Sequence, residues 1–446
     1  MIFRQFVDED LGCASYLVGD AETREAVLVD AAYEIAPYLA AAEREDVRIV
    51  RALETHTHAD HVAGHGRLAL EHGLPVDIHP AAEAEYPHEP LEDGGEVVLG
   101  NVMLRVIHTP GHRPEHCCFT VIDRARAEEP WLVLTGDSLF VGDAARPDLA
   151  IEAADGAREL YHSLRRLLEL PDGVEVFPGH VAGSLCGAAM SSKASTTIGF
   201  ERHFNPMLAR GDEHEFVDAT AHVRTPRPPN LERIVELNRG PFVGAAAPVE
   251  LVGSLEGATV LDVRPADVSA DGHVPGAINV PLVRSGFATR AAFVLSPEER
   301  ILIHASSTAE AQDAARRLRA VGFLELGGYA TELPATETMD PVGVPELERL
   351  VAADAVEVID VRELHERDDG YIPGSRNIPY RLLRAYKDGL GEGRPIVTIC
   401  ESGARAAVAA SILAAAGLNA RPVLQGGIRE WQSRGGQMVE FRRCGR

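Results

Sequence analysis

The sequence predicts an α/β protein of about three domains, and three observations support this prediction. The chain has 446 residues, more than one typical hydrophobic core accommodates. In the first half, short β-rich runs alternate with helical stretches, as in a layered α/β fold. In the second half, a sequence pattern occurs twice, which indicates two tandem domains of related fold.

Polar motifs follow the predicted strands of the first half directly. The predicted strand Arg48–Leu53 leads into a motif that contains His56 and His58. Three later predicted strands also run into polar motifs: Leu104–Ile107, Leu132–Leu134 and Glu175–Phe177. Because strand ends repeatedly deliver polar residues, distant segments are expected to build one site.

The second half contains an internal repeat. The segment Val260–Arg264 recurs as Val358–Arg362, and Gly272–Asn279 recurs as Gly370–Asn377. The two copies lie 98 positions apart, whereas stacked solenoids use repeats of about 20–45 residues. Each copy is therefore long enough to be a small domain. A proline-rich segment at 224–230 indicates the end of the first unit, and we predict domains at residues 1–240, 248–338 and 340–446.

Composition argues against several kinds of partner. The formal net charge of -25 disfavours binding to nucleic acid or anionic membranes. No apolar run approaches the roughly 20 residues that span a bilayer, and the first residues lack the pattern of a secretory signal. The six cysteines include no Cys-x-x-Cys pair, which is typical of free thiols in a reducing compartment. We therefore predict a cytoplasmic protein that acts on small molecules.

The most specific pattern is a set of seven metal-ligand side chains placed just after predicted strands. They are His56, His58, Asp60, His61, His112, Asp137 and His180. Imidazole and carboxylate together suit Zn, Fe, Mn or Ni, whereas Ca prefers all-oxygen shells. A merely polar surface would not place seven such residues at strand ends, so the pattern predicts a metal site.

This spacing resembles the metallo-β-lactamase superfamily over roughly residues 1–240, which implies an αββα sandwich. Its glyoxalase II branch uses all seven residues to hold two Zn ions, which activate hydroxide for thioester hydrolysis. Its persulfide dioxygenase branch uses one Fe(II) per chain; by motif position the ligands would be His56, His112 and Asp137, with room for O2 and a persulfide. The other four residues would then orient ligands and water: His58, Asp60, His61 and His180. The seven residues alone leave both branches open.

Two local features bear on the metal site. After His112 the chain continues with residues 113–118, Arg-Pro-Glu-His-Cys-Cys, which departs from the Thr-x-Gly continuation common in both branches. A thiol, Cys186, lies six residues beyond His180. Together with residues 195–201, Cys186 resembles dioxygenases fused to rhodanese domains, which implies a part in sulfur transfer. The alternative is that Cys186 is a small buried filler.

The third predicted domain carries a cysteine loop between an apolar strand and an Ala-rich helix. The loop consists of Cys400, Glu401, Ser402, Gly403, Ala404 and Arg405. At such a turn a thiolate faces backbone N–H groups and the positive end of the helix, and Arg405 adds a positive charge. Such a loop predicts a nucleophile that cycles between thiolate and persulfide.

With the Asp360-x-Arg362 motif, the domain resembles rhodanese sulfurtransferases over roughly residues 340–446. Cysteine phosphatases are the alternative, but their loop is Cys-x5-Arg and this loop is Cys-x4-Arg. Glu401 disfavours a dianionic donor such as thiosulfate.

The second predicted domain lacks this chemistry. Counting back from matching helix ends, Ala305 falls opposite Cys400 and Glu310 opposite Arg405. We therefore interpret the domain as a degenerate rhodanese that serves as a spacer or packing surface. The alternative is a ligand-binding role for His304 or Ser306.

These observations predict an Fe(II)-dependent dioxygenase that oxidises a low-molecular-weight thiol persulfide to sulfite with O2. Sulfur transfer through Cys400 would be coupled to it, with thiosulfate as one product. One alternative is a dinuclear Zn thioesterase with a sulfurtransferase, and another is a metal hydrolase whose rhodanese half only docks partners. By resemblance, a homo-oligomer is expected. No basic cluster specifies which thiol carries the persulfide.

Overall fold

The computed structural model describes residues 1–181, 191, 193–222, 225–253 and 257–439. The chain forms two compact units. The first contains Met1–Ala246 and Arg319–Gly322, and the second contains Ala247–Leu318 and Phe323–Arg446. Within the described residues, no helix combines the length and apolar character needed to cross a membrane.

Two six-stranded sheets form the centre of the first unit. The strands of the first sheet follow chain order: β1 (Ile2–Val7), β2 (Ala14–Asp20), β3 (Glu25–Val29), β4 (Arg48–Leu53), β5 (Val76–Ile78) and β6 (Glu89–Pro90). The next strands are β7 (Glu96–Leu99), β8 (Val102–His108), β9 (Cys117–Asp123), β10 (Leu132–Gly136), β11 (Leu139–Phe140), β12 (Asp143–Ala144), β13 (Glu175–Pro178) and β14 (Thr196–Thr197). The second sheet has the order β14-β13-β10-β9-β8-β7, and β11 pairs with β12.

Helices cover the outer faces of both sheets. They are α1 (Ala36–Arg44), α2 (His65–His72), α3 (Ala153–Leu167), α4 (Ile198–Phe204) and α5 (Glu213–Thr220). A further helix, α6 (Leu231–Arg239), packs through Leu231 against Ala59 and Leu149. One core lies between the sheets and includes Val29 and Phe119. A second core joins the first sheet to α1 through Tyr38, and a third joins the second sheet to α3 through Leu160. Every residue of β2 and β9 is buried, because both faces of these strands are covered.

The second unit contains two four-stranded parallel sheets with the same strand order. The first is built from β15 (Thr259–Asp262), α7 (Ala266–Asp271), β16 (Ile278–Asn279), α8 (Phe287–Val294), β17 (Ile301–His304), α9 (Thr308–Ala320) and β18 (Gly328–Ala330). The second is built from α10 (Val344–Ala352), β19 (Glu357–Asp360), β20 (Arg376–Asn377), β21 (Ile396–Ile399), α11 (Ala404–Ala415), β22 (Ala420–Pro422) and α12 (Gly427–Ser433). The sheet orders are β16-β15-β17-β18 and β20-β19-β21-β22.

The predicted fold class is confirmed in both units. The strand predicted at Arg48–Leu53 has those bounds. The described part of the chain also contains three short 3-10 helices: Pro80–Ala82, Leu364–Asp369 and Tyr380–Leu382. The register of the second unit also supports the alignment of its two copies. His304 pairs with Asp262 and Ile399 pairs with Asp360, so Ala305 and Cys400 follow equivalent strand ends.

Candidate functional site

Three strand ends bring His56, His112 and Asp137 together in the first unit. His56 follows β4, His112 follows β8 and Asp137 follows β10, and each is 1% exposed. One ligand atom from each lies within 4.8 Å of the other two. Nε2 of His56 and Nε2 of His112 lie 3.9 Å and 3.6 Å from Oδ2 of Asp137.

The facing atoms of this group are suited to a cation. Among the described residues, His56 Nε2 and Asp137 Oδ2 have no hydrogen-bond partner although both are buried. Buried polar atoms are nearly always paired, so two such atoms facing each other fit a metal ion. Two imidazoles and one carboxylate supply the donor types that a transition metal accepts.

The opposite edges of the two imidazoles fix their orientation. Nδ1 of His112 donates to the carbonyl oxygen of Arg146 at 3.0 Å. Nδ1 of His56 donates to Thr55 Oγ1 at 2.9 Å, and that hydroxyl donates to Asp30 at 2.8 Å. Both rings therefore present the lone pair of Nε2, which is the form that binds a metal.

His116 fixes the backbone of Asp137 but was not predicted as a site residue. The backbone N–H of Asp137 donates to His116 Nε2 at 2.9 Å, and His116 Nδ1 donates to Thr109 Oγ1 at 2.8 Å. Burial lowers the pKa of His116 to about 3, so the ring is neutral and able to accept. The available signal was its position, four residues after His112 in the segment that departs from the family pattern.

A second group lies beside the first. One ligand atom each from His58, Asp60 and His61 lies within 4.8 Å of the others. Asp60 is already engaged, because its two oxygens lie 3.0 Å from His61 Nδ1 and 2.9 Å from His180 Nε2. The other nitrogen of His180 lies 2.7 Å from Asp137 Oδ1. Burial would raise the pKa of Asp137, but His180 outweighs it and holds that pKa well below its usual range.

Two buried carboxylates, Asp30 and Glu54, surround the far edge of His58. Nε2 of His58 lies 3.4 Å from Glu54 Oε2 and 3.5 Å from Asp30 Oδ1. Burial would lower the pKa of His58, but these carboxylates raise it to about 10. Sequence reasoning missed both acids, although each directly follows a strand, as the seven recognised residues do.

The segment after His112 forms a buried ion pair. Arg113 Nε donates to Glu115 Oε1 at 2.7 Å, and the same oxygen accepts the backbone N–H of Thr57 at 3.1 Å. The departure from the expected Thr-x-Gly therefore adds a cation and an anion beside the candidate metal group. Cys186 lies outside the described residues.

The Cys400 loop lies at the end of β21 in the second unit. Cys400 is 1% exposed, and the backbone N–H of Gly403 donates to its Sγ at 3.1 Å. Gly403 has φ +120°, and a Cβ there would lie 1.9 Å from the carbonyl oxygen of Leu424. The loop therefore requires glycine. Since α11 begins at Ala404, Sγ lies at the positive end of a 12-residue helix.

The charges around this loop are paired. Arg405 donates to both oxygens of Glu366, at 2.6 Å and 2.7 Å. Burial would raise the pKa of Glu366, but Arg405 outweighs it and lowers the pKa. Glu401 accepts from Arg429 at 2.7 Å, whereas Ser402 and Ala404 are exposed. Sequence reasoning identified the charge of Arg405 but not its partner.

The corresponding loop of the first copy contains a carboxylate instead of a thiol. Residues 248–338 include no cysteine, and Ala305 is fully buried at the end of β17. The backbone N–H of Ser306 donates to Glu310 Oε2 at 2.9 Å. The Glu310 carboxylate thus accepts a hydrogen bond from a loop N–H group that could otherwise bind an anion.

Comparisons with known proteins agree with this geometry. The profile of the metallo-beta-lactamase superfamily matches residues 8–180, and the profile of the rhodanese-like domain matches residues 248–330 and 344–434. The human protein named persulfide dioxygenase ETHE1, mitochondrial, is 32% identical over 234 residues, which cover 52% of this chain and 85% of the human protein. The bovine protein of that name is 31% identical, over 53% of this chain and 87% of its own length.

A crystal structure of a metallo-beta-lactamase from Staphylococcus aureus is also similar. It has a TM-score of 0.68 and 28% sequence identity, and the match covers 74% of this chain and 98% of that chain. The resemblance predicted from the motifs is confirmed. The chain therefore belongs to the metallo-β-lactamase superfamily and, within it, to the family of the persulfide dioxygenases, here joined to two rhodanese-like domains.

Proposed function

We propose that this protein oxidises the terminal sulfur of a low-molecular-weight thiol persulfide with O2, using one Fe(II) per chain, and transfers sulfane sulfur through Cys400. The observation that carries the first part is the group formed by His56, His112 and Asp137. Among the described residues, the buried His56 Nε2 and Asp137 Oδ2 of this group have no hydrogen-bond partner. Two imidazoles and one carboxylate suit a non-haem Fe(II) with open positions. The relatives named persulfide dioxygenase support the same substrate class.

The overall reaction balances as RSSH + O2 + H2O → RSH + SO3²⁻ + 2 H⁺. The terminal sulfur goes from oxidation state 0 to +4, and O2 accepts the four electrons. When bound, the iron supplies the redox chemistry that activates O2. The protein's own contribution is positioning: Arg146 orients His112, His116 and His180 orient Asp137, and burial excludes water.

Cys400 is proposed to carry sulfane sulfur as a persulfide. The loading step is RSSH + Cys400–SH → RSH + Cys400–SSH, in which one S–S bond breaks and one forms. Transfer to sulfite, Cys400–SSH + SO3²⁻ → Cys400–SH + S2O3²⁻, would form thiosulfate. The Gly403 N–H and the start of α11 support this role, because both stabilise negative charge on sulfur.

The remaining assignments are parts of the same proposal. Four residues orient ligands and water: His58, Asp60, His61 and His180. Cys186 relays sulfur near the metal, and the domain of residues 248–338 acts as a spacer. We also propose domain bounds at 1–240 and 340–446, a homo-oligomeric state and a cytoplasmic location.

Oxygen uptake with glutathione persulfide tests the oxidation. We expect uptake by the iron-loaded protein and none by the zinc-loaded protein, because zinc has no redox chemistry. His112→Ala should remove most of the bound iron and the oxygen uptake together. His214→Ala is the control, since that histidine is 87% exposed. An iron-loaded wild type that consumes no oxygen with any persulfide would refute the proposal.

A dinuclear Zn thioesterase is the second candidate, and one observation favours it. His58 Nδ1 and His61 Nε2 are buried and lack partners among the described residues, and both belong to the second group. Metal analysis of protein purified without added metal separates the candidates: one iron per chain supports the dioxygenase, and two zincs with thioester hydrolysis support the hydrolase.

A further inference from the structure

The segment of residues 58–63, called here the ligand turn, carries His58, Asp60 and His61 of the second group. It lies between β4, which ends at Leu53, and α2, which begins at His65. Residues 58–62 belong to neither a helix nor a strand, and all of them except Asp60 are buried. Buried backbone groups outside regular structure must find other partners. The partners of the ligand turn therefore determine where its side chains lie.

Asn238, near the end of α6, supplies three of these partners. Its Nδ2 donates to the carbonyl oxygen of His58 at 2.9 Å and to that of His61 at 2.8 Å. Its Oδ1 accepts the backbone N–H of Ala63 at 2.8 Å. Asn238 is 2% exposed. A carboxamide has two N–H donors and an acceptor in one plane, so this one side chain joins three backbone groups of the ligand turn.

The same face of α6 packs against the ligand turn. Leu231 and the partly buried Val235 lie in one apolar cluster with Ala59, which belongs to the turn. Leu231, Val235 and Asn238 are spaced by four and three residues, so they share one face of the helix. The helix thus holds the ligand turn by apolar packing as well as by the three hydrogen bonds.

The ligand turn is connected to the first group by a chain of polar contacts. Asp60 lies 3.0 Å from Nδ1 of His61, whose carbonyl oxygen accepts from Asn238. The other oxygen of Asp60 lies 2.9 Å from His180 Nε2, and His180 Nδ1 lies 2.7 Å from Asp137 Oδ1. A displacement of the ligand turn therefore moves the Asp60 carboxylate and, through His180, the partner of Asp137.

We propose that Asn238 is a positioning residue of the metal site, which fixes the ligand turn and, through Asp60 and His180, the orientation of Asp137. The inference rests on the proposed metal site, and it applies whether the second group holds an ion or orients water. Its hydrogen bonds reach backbone atoms of the turn, so Asn238 acts on the metal only through the chain that it holds. Residues that orient metal ligands typically change metal affinity by about 10–100-fold.

Zinc binding to the full-length protein tests this role without turnover. Zinc is removed, and the affinity for the tightest-bound ion is measured in competition with a chromogenic chelator. Asn238→Asp keeps the shape and the acceptor for the Ala63 N–H, but it loses both donors and places a negative charge against two carbonyl oxygens. We expect zinc affinity to fall about tenfold and the visible spectrum of the Co(II)-substituted protein to change. An affinity within twofold of wild type would overturn the proposal.

Asn205→Asp is the matched control for the loss of a buried carboxamide. Asn205 is 1% exposed, and its Nδ2 donates to the carbonyl oxygen of Asp143 and to Glu201. Its Oδ1 accepts the backbone N–H of Met207. We expect a loss of stability in urea similar to that of Asn238→Asp, but a zinc affinity within twofold of wild type. An equal loss of zinc affinity would overturn the proposal, because general destabilisation would then explain both results.

Asn238→Ser keeps the proposal testable if Asn238→Asp does not fold. Serine adds no charge and leaves at least one carbonyl oxygen of the ligand turn without its donor, so we expect a smaller loss of zinc affinity, about threefold. A loss below twofold would overturn the proposal. In an Asp60→Ala background the connection to His180 is already broken, and Asn238→Ser should have less effect there than in the wild type. A fully additive loss would refute the route through Asp60.

The zinc measurements separate this inference from the proposed oxidation. If the iron-loaded protein takes up no oxygen with persulfides but zinc affinity falls as expected, the oxidation is rejected and the role of Asn238 stands. If oxygen uptake is normal and the Asn238 variants bind zinc as the wild type does, only the role of Asn238 is rejected.

Discussion

The two rhodanese-like domains share a framework and differ in the content of one loop. Arg264 donates to both oxygens of Asp262 at 2.9 Å and 2.7 Å, and Arg362 donates to Asp360 at 3.0 Å and 2.8 Å. In each copy an asparagine side chain donates to the carbonyl oxygens of that Asp and Arg. The repeated motifs are therefore structural, since they make the same contacts with and without a cysteine.

The loops differ in the group that receives their backbone N–H. In one copy the Gly403 N–H donates to the Sγ of Cys400, and in the other the Ser306 N–H donates to Glu310. α11 begins four residues after Cys400, whereas α9 begins three residues after Ala305. The loop after Ala305 is therefore one residue shorter. A framework shared by the two domains therefore does not indicate a shared activity, because the activity depends on a few loop residues.

Cys400→Ser should have the largest effect. We expect sulfur transfer from a persulfide donor to cyanide to fall by at least about 10³-fold, because the covalent carrier is lost. Adding Ala305→Cys to this variant should not restore transfer, since Glu310 already occupies the loop N–H. Restored transfer would show that a thiol alone suffices, and unchanged transfer in Cys400→Ser would support the docking alternative.

Asp262→Asn and Asp360→Asn should destabilise the protein by comparable amounts. Both aspartates are fully buried, and each variant removes the carboxylate that its arginine contacts most closely, although Arg362 keeps Glu401 at 3.6 Å. Breaking a buried ion pair costs about 3–5 kcal/mol, which urea unfolding would measure. A much smaller loss for Asp262→Asn would mean that the framework has become dispensable in the copy without cysteine.

Gly403→Ala should damage the loop more than a comparable glycine change elsewhere. Its Cβ would meet the backbone of Leu424, so we expect a loss of about 2–4 kcal/mol and impaired sulfur transfer. Gly417 also has a positive φ, +81°, but open space around it, and Gly417→Ala should cost only about 1 kcal/mol. Equal losses in urea unfolding would show that φ alone, and not the close approach, requires Gly403.

The fold and the candidate ligands followed from the sequence because both depend on local patterns. β4 has its predicted bounds. A polar residue directly after a strand, such as Asp137, is positioned at the site by that strand and does not depend on the segments that connect the strands. The 98-residue repeat predicted two related domains for the same reason, since each copy repeats its own short motifs.

The contacts that tune the sites could not be predicted, because they join residues that only packing brings together. Arg405 meets Glu366 from 39 residues away, and His58 meets Asp30 across two strands. The sequence showed that Glu310 stands in place of the cation Arg405. It did not show that the Glu310 carboxylate accepts the backbone N–H of Ser306. No fixed sequence spacing relates such partners. The sequence therefore showed the charged residues but not the ion pairs that neutralise them.

Glu366→Gln should have the smallest effect, and one that depends on pH. The folded pKa of Glu366 is lowered, because Arg405 outweighs burial, so the carboxylate stabilises the fold above its unfolded pKa of about 4.5. That contribution is lost as the pH falls through the folded pKa. Since the pair is partly exposed, we expect a difference of about 0.5–1 kcal/mol at pH 7 that shrinks below about pH 4.5. Urea unfolding between pH 7 and pH 3 measures it.

Arg405→Gln provides the matched background for that measurement. With the cation removed, Glu366→Gln should no longer produce a difference that shrinks in acid, because the interaction that lowers the carboxyl pKa is gone. A difference that stays constant down to pH 3 in the wild-type background would mean that Glu366 acts through packing. The ion pair of Arg405 and Glu366 would then add little to stability, and the contrast with the Glu310 loop would depend on the nucleophile.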